Sequence, residues 1–179
     1  MAQPSILDLG CGNRKRAGAI GVDSNPRSDA DVIHDLNVLP YPFAESSFDE
    51  IYLDNVLEHL QDVVAVVEEL YRIAKPNGLV RVIVPYFRAR WAFIDPTHRH
   101  FFTVQSFSYF DPEHIHCKLY DYSTARFRLA SLRFNLTVRR GWLTEAVKLV
   151  ANRWPDRYER FLSHLYPLDD LTFDLRAVK

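Results

Sequence analysis

Three aspartates each close a short apolar run near the start of the chain: Asp8, Asp23 and Asp35. The first sits in Leu7-Asp8-Leu9-Gly10-Cys11-Gly12. Two glycines one residue apart let the backbone turn tightly, and without a Cβ they let a ligand approach the main chain. Asp23, followed by Ser24-Asn25-Pro26, is placed to accept hydrogen bonds from both hydroxyls of a ribose. Bonds to a charged acceptor contribute about 1.5–3 kcal/mol each. Asp35-Leu36 pairs an acceptor for an adenine amino group with an apolar side chain to pack on its ring. A turn-forming or capping aspartate is the competing role at each position. Further on, Asp54-Asn55 brings polar groups to the end of another strand-like run.

These residues need a scaffold that gathers strand ends. Ser5 to Leu9, Ala19 to Val22, Asp31 to His34, Phe48 to Leu53 and Leu79 to Val84 read as short buried strands. About Leu60 to Ala74, Val63, Val66, Val67, Leu70 and Ile73 keep the spacing of a helix's buried face. Lys75-Pro76-Asn77-Gly78 stops it. Strands alternating with helices imply a parallel sheet with right-handed crossovers. Ligands bind such a sheet at the carboxyl ends of its strands, near the point where strand order reverses. About nine residues join the first two strands, short of the ~10–12 that a full crossover needs, so one helical turn at most is expected there. In the second half, 86–123 reads as loops and short helices, Ala125 to Val138 as a strand, Leu143 to Leu165 as helix broken at Pro155, and Leu171 to Val178 as a last strand.

Composition narrows the class. At 179 residues with 47% hydrophobic and 25% charged side chains, one globular domain spanning 1–179 is expected. Only Cys11 and Cys117 are present, too few for a disulfide framework. No apolar run approaches the ~18 residues of a membrane span, and the first residues lack the order of a signal peptide, so a cytoplasmic protein is expected. Residues 1–86 hold 7 Lys/Arg against 13 Asp/Glu, a net of −6, and residues 87–179 hold 15 against 10, a net of +5. No basic block is long enough for a nucleic-acid tract. The basic half is compatible with an acidic small-molecule acceptor, though a solvated face accounts for it equally well.

Four segments in order carry a resemblance: Leu7 to Gly12, Gly21-Val22-Asp23, Leu39-Pro40-Tyr41-Pro42-Phe43 through Ser47-Phe48-Asp49, and Val56-Leu57-Glu58-His59. Together with Lys75-Pro76-Asn77-Gly78 they resemble class I S-adenosylmethionine-dependent methyltransferases of the type 11 methyltransferase-domain family, over about the first 86 residues. The resemblance implies a doubly wound, Rossmann-like α/β fold with a seven-stranded, mostly parallel sheet whose last strand is antiparallel. It implies S-adenosylmethionine as cofactor, bound by Asp8, Gly10, Cys11, Gly12, Asp23, Ser24, Asp35, Leu36 and Asn55. Of these, Asp8, Gly10 and Gly12 would line the methionine part, Asp23 the ribose, Asp35 and Leu36 the adenine, and Asn55 the transferred methyl. The sequence departs from the family at Asn13-Arg14-Lys15, where a third small residue is usual, and in the shortened first crossover. Arg14, Lys15 or Arg16 is left to supply charge for the cofactor's carboxylate.

The acceptor side is expected in 86–123. Methyl transfer is an in-line displacement, and positioning supplies much of the acceleration, ~7–11 kcal/mol when it is good. An oxygen or nitrogen acceptor also has a proton to lose. His98 and His100 are the candidate bases, with Tyr86 as a positioning group. No metal site is expected, because His98-Arg99-His100 and His114-Ile115-His116-Cys117 lack a clear third-ligand spacing. A nicotinamide-dependent oxidoreductase is the weaker alternative: Lys15 stands where its third glycine would be, and Asp23 falls short of the ~20-residue spacing. A non-catalytic domain that binds S-adenosylmethionine is the other.

Overall fold

The computed structural model describes residues 3–135 and 141–179. Seven strands form one sheet in the order β3-β2-β1-β4-β5-β7-β6. They are β1 (Ile6–Leu9), β2 (Ala19–Asp23), β3 (Val32–Ile33), β4 (Phe48–Asp54), β5 (Ala74–Pro85), β6 (Phe127–Asn135) and β7 (Asp170–Ala177). The β1 to β5 neighbours pair in parallel, and β7 runs antiparallel to both β5 and β6. The chain leaves β1 toward β2 and β3, then returns to place β4 on the other flank of β1. Strand order therefore reverses between β1 and β4, where Leu9 and Asp54 lead into Gly10 and Asn55.

Helix α1 (Val63–Ile73) begins three residues later than its apolar spacing predicts, because the Asp62 side chain caps it at the Ala65 N–H. It turns Val66, Val67, Leu70 and Ile73 inward. The Lys75 to Gly78 stretch ends the helix and also belongs to β5. There β4 advances from Phe48 to Glu50 while β5 advances from Ala74 to Leu79, a bulge with Asn77 at φ +60°. The connection between β1 and β2 holds turns only, in keeping with its length.

One sheet face is apolar. Leu7, Leu9, Ile51, Leu53, Val80, Val82, Phe173 and Leu175 lie on it at 2% exposure or less. Against it pack α1, the aromatic run Phe102, Phe107 and Phe110 from 86–123, α4 (Trp142–Arg153) and α5 (Pro155–Phe161), all within one hydrophobic cluster. Phe107 meets Phe173 at 4.7 Å between ring centroids, and Tyr158 of α5 meets Phe134 at 4.8 Å. The other face is polar, with Glu50, Tyr52, Arg81, Asp174, Ser131 and Arg133 in neighbouring registers. Pro155 occupies the first turn of α5, which is why the helical pattern of the second half breaks there. The short helices α2 (Trp91–Ile94) and α3 (Ile115–Tyr120) fall within 86–123. Positions 136–138 of the strand expected through Val138 lie outside the described residues.

Candidate active site

The glycine turn is built by β1 and held by β2. Gly10 and Cys11 both donate their N–H to the Val22 carbonyl, at 2.7 and 3.1 Å. Gly10 and Gly12 stand at φ +68° and +52°, where a side chain is strained. A Cβ on Gly10 would lie 2.3 Å from a Val56 methyl, whereas one on Gly12 would meet nothing within 4 Å. Asp8 is buried and accepts the Arg16 N–H at 2.8 Å. This bond fastens the short first connection, so the missing helix is replaced by a carboxylate clip. Asp23 accepts the Gly12 N–H at 2.9 Å on one oxygen and the Asn25 N–H at 2.8 Å on the other. Each oxygen keeps a second acceptor position.

Two cavities adjoin along this edge. One, of about 550 Å³, is walled by Asp8, Gly10, Cys11, Gly12, Arg14, Arg16, Asp54 and Asn55. The other, of about 300 Å³, is walled by Gly10, Asp23, Ser24, Asp35, Leu36, Asn55 and Val56, among others. All nine residues of the implied cofactor set therefore line one crevice that meets at Gly10 and Asn55. The first connection contributes its cations unequally. Lys15 turns away to Asp31 at 2.7 Å. Arg16 lies over the Tyr52 ring at 3.8 Å and reaches Asp54 at 3.1 Å, and its Nε is buried without a partner among the described residues. Asp35 is held below the usual carboxylate range by two bonds from Asn37. The open space at Gly12, the acid at Asp23, the apolar Leu36 and the orphaned Arg16 Nε fit an adenosyl sulfonium bearing an amino-acid end.

A third cavity, of about 430 Å³, opens on the same point. Its wall is Asn55, Glu58, His59, Pro85, Trp91, Ile94, Asp95, His98 and Asp170. Asn55 is at φ +55° and is anchored by its N–H to the Ile83 carbonyl at 2.9 Å. Glu58 and His59 sit on a single 3-10 turn, Leu57–His59, directly after β4. Burial pushes the Glu58 carboxyl up to about 7. Burial, with Asp169 nearby, raises Asp170 to about 6. Burial, then His98, lowers His59.

Among the groups read as base or positioning residues, His98 stands on this wall. His100 instead points its ring at the Gln61 carbonyl, 3.3 Å away. Tyr86 is fully buried against Phe134 and Tyr158. His114 and His116 serve α3 and Ser108. The wall contains three carboxylates and neither Lys nor Arg, so the basic excess of the second half lies elsewhere. Sequence reasoning missed Glu58, His59, Asp95, Trp91 and Asp170 as site residues. The Glu58-His59 pair was visible as a motif without a role. Asp170 comes from the amino end of an antiparallel strand more than a hundred positions away, and no local signal marks it.

Fold and crevice together define an α/β domain with an open crevice at the β1/β4 reversal. Residues 7–82 match the family model of the methyltransferase domain. Among solved structures, an Archaeoglobus fulgidus S-adenosylmethionine-dependent methyltransferase aligns at 18% identity and TM-score 0.58, covering 97% of this chain and 86% of that one. A Mesorhizobium loti S-adenosylmethionine-dependent methyltransferase aligns at 14% identity and TM-score 0.59, over 97% and 90%. The [4+2]-cyclase SpnF aligns at 16% identity and TM-score 0.57, over 98% and 74%. No curated protein matches the sequence. Over residues 7–82 the chain is similar to the methyltransferase domain, and its fold is the one these solved structures share.

Proposed function

We propose that the chain is a class I S-adenosylmethionine-dependent methyltransferase whose acceptor is a small molecule bearing an oxygen or nitrogen nucleophile, seated in the cavity under α2. The observation that carries this is the position of Asn55, the one residue on the walls of all three cavities. The cofactor crevice and a compartment sized for a small molecule thus meet at one point. S-adenosylmethionine, when bound, supplies a methyl group on a sulfonium.

The chain's own residues bind and orient. Asp8, Gly10, Cys11 and Gly12 shape the amino-acid end of the crevice, with Arg16 the cation nearest its carboxylate. Asp23 and Ser24 take the ribose, and Asp35 and Leu36 the adenine. Asn55 marks the junction. Trp91 and Ile94 border the acceptor, and Glu58, His59 and His98 line the wall it faces. The whole of 1–179 acts as one domain, with 86–123 supplying the acceptor side.

Isothermal titration is expected to show one equivalent of S-adenosylmethionine bound and no binding of nicotinamide dinucleotide. Turnover with candidate acceptors is expected to release demethylated cofactor in step with methylated product. Trp91→Ala is expected to raise KM for the acceptor several-fold while S-adenosylmethionine affinity stays unchanged. Tight cofactor binding with Trp91→Ala leaving acceptor KM untouched would remove the acceptor from this cavity. The fold also carries other chemistry, as the cyclase neighbour shows for itself. Product formed without release of demethylated cofactor would move this chain to that kind of reaction.

A further inference from the structure

We propose that Glu58, His59 and His98 form a divalent-cation site in the wall of the acceptor cavity, where the cation holds an oxygen-bearing acceptor. The choice of acceptor rests on the methyl-transfer reading above; the cation site stands on the side chains alone.

One ligand-type atom from each of the three residues lies within 4.8 Å of the other two. The hydrogen bonds behind them decide what these atoms offer. Thr97 Oγ1 donates to Asp95 Oδ1 at 2.6 Å, so toward His59 Nδ1, 2.9 Å away, it accepts. The Ala92 carbonyl can only accept, so His98 Nδ1, 3.1 Å away, donates. Each ring therefore carries its proton on Nδ1 and a lone pair on Nε2. Glu58 is 1% exposed, and among the described residues neither of its carboxylate oxygens has a hydrogen-bond partner.

Two imidazoles, each with a lone pair on Nε2, and a buried, unpartnered carboxylate are thus gathered in one cluster. Buried polar groups are normally paired, and a buried carboxylate without a partner is costly. A cation removes both problems. An outer oxygen on the far nitrogen of each imidazole is also how metal-bound histidines are oriented. The two pieces of backbone are tied together: Arg99 and His100 donate their N–H groups to the Glu58 carbonyl at 2.8 and 3.3 Å. The loop bearing His98 is therefore fixed against the turn bearing Glu58 and His59.

Two imidazoles and one carboxylate suit zinc, cobalt, manganese or iron(II) better than calcium or magnesium, which prefer oxygen. Three protein ligands leave positions open toward the cavity. A bound cation lowers the pKa of a coordinated hydroxyl, so an acceptor oxygen can be held as its anion near neutral pH. Adjacent hydroxyls, as in a catechol, fill two open positions and are the acceptor class this site favours.

The test is cobalt(II) titration of the full chain, followed by visible absorption and calorimetry. One equivalent is expected to bind and to give the ligand-field bands of a protein-bound ion. His98→Ala and Glu58→Gln are each expected to weaken that binding at least tenfold, while S-adenosylmethionine still binds both variants as it binds the parent, which also reports that they are folded. Catechol is expected to shift the cobalt bands in the parent only. Absence of protein-bound cobalt bands, or binding untouched by both substitutions, overturns the cation site and leaves the methyltransferase reading intact. Cobalt binding that catechol does not perturb overturns the acceptor class.

Discussion

At the scale of single residues, the two glycines of the first turn do different work. Gly10 is filled around: an added methyl would overlap Val56. Gly10→Ala is therefore expected to cost stability, about 1–3 kcal/mol by overpacking and left-handed strain, seen as a lower Tm. Gly12 faces open space on the cavity wall. Gly12→Ala is expected to cost less stability and to lose S-adenosylmethionine affinity instead. Equal losses in both readouts for both variants would mean the turn has no ligand side. Asp23→Ala is expected to weaken S-adenosylmethionine binding at least tenfold, since one charged hydrogen bond is worth ~1.5–3 kcal/mol. Unchanged affinity in a folded variant would take Asp23 off the ribose. This half of the site was legible because each residue lies at or just past the end of a strand, so position along the chain implies position at the sheet edge. The Glu58, His59 and His98 cluster was not legible. It depends on a loop folded back over 39 residues and on hydrogen bonds that fix two ring tautomers.

At the scale of elements, the polar sheet face is held by a network around Asp174. This carboxylate takes bonds from Arg81 at 2.6 Å, Ser131 at 2.7 Å and Arg133 at 2.8 Å, joining β5, β7 and β6. Burial pushes its pKa up, but the Arg81, Ser131 and Arg133 contacts outweigh that, and it ends below the usual carboxylate range. A depressed carboxylate stabilises the fold above its unfolded pKa of ~3.9, and that stability is lost as pH falls through the folded value. Asp174→Asn is expected to cost about 2 kcal/mol at pH 7, less than a fully buried pair because both arginines keep access to water. Its stability is also expected to fall less steeply than the parent's below about pH 4, by urea melts across pH. A parallel acid limb in both proteins would place the acid sensitivity elsewhere. Of these strands, β6 was visible as alternation and β5 as an apolar run, while the resemblance implied seven strands with the last antiparallel but not their order, which the structure supplies. The bulge at Lys75 to Gly78 was not, because proline and glycine read as a stop whether a loop or a strand follows.

At the scale of the molecule, the chain's two halves are not separable layers. Strand β7, from the last residues, is inserted between β5 and β6. The strand that carries Val80, Val82 and Val84 is therefore zipped along seven registers to residues 170–176. One hydrophobic cluster takes side chains from both halves, so unfolding either exposes the other. The cofactor set lies entirely within residues 8–55, whereas all three tryptophans, Trp91, Trp142 and Trp154, lie in 87–179. Tryptophan fluorescence thus watches the half that does not hold the cofactor set. Ligand at a hundred times its Kd adds ~2.7 kcal/mol to the folded state, and for a chain of this size each kcal/mol moves Tm by about 2–4 °C. S-adenosylmethionine is expected to raise the tryptophan-detected midpoint by about 5–10 °C, in step with the midpoint from far-UV circular dichroism, while nicotinamide dinucleotide moves neither. A far-UV shift that tryptophan does not follow would mean the halves melt separately. The β5–β7 ladder would then not transmit what the glycine turn binds.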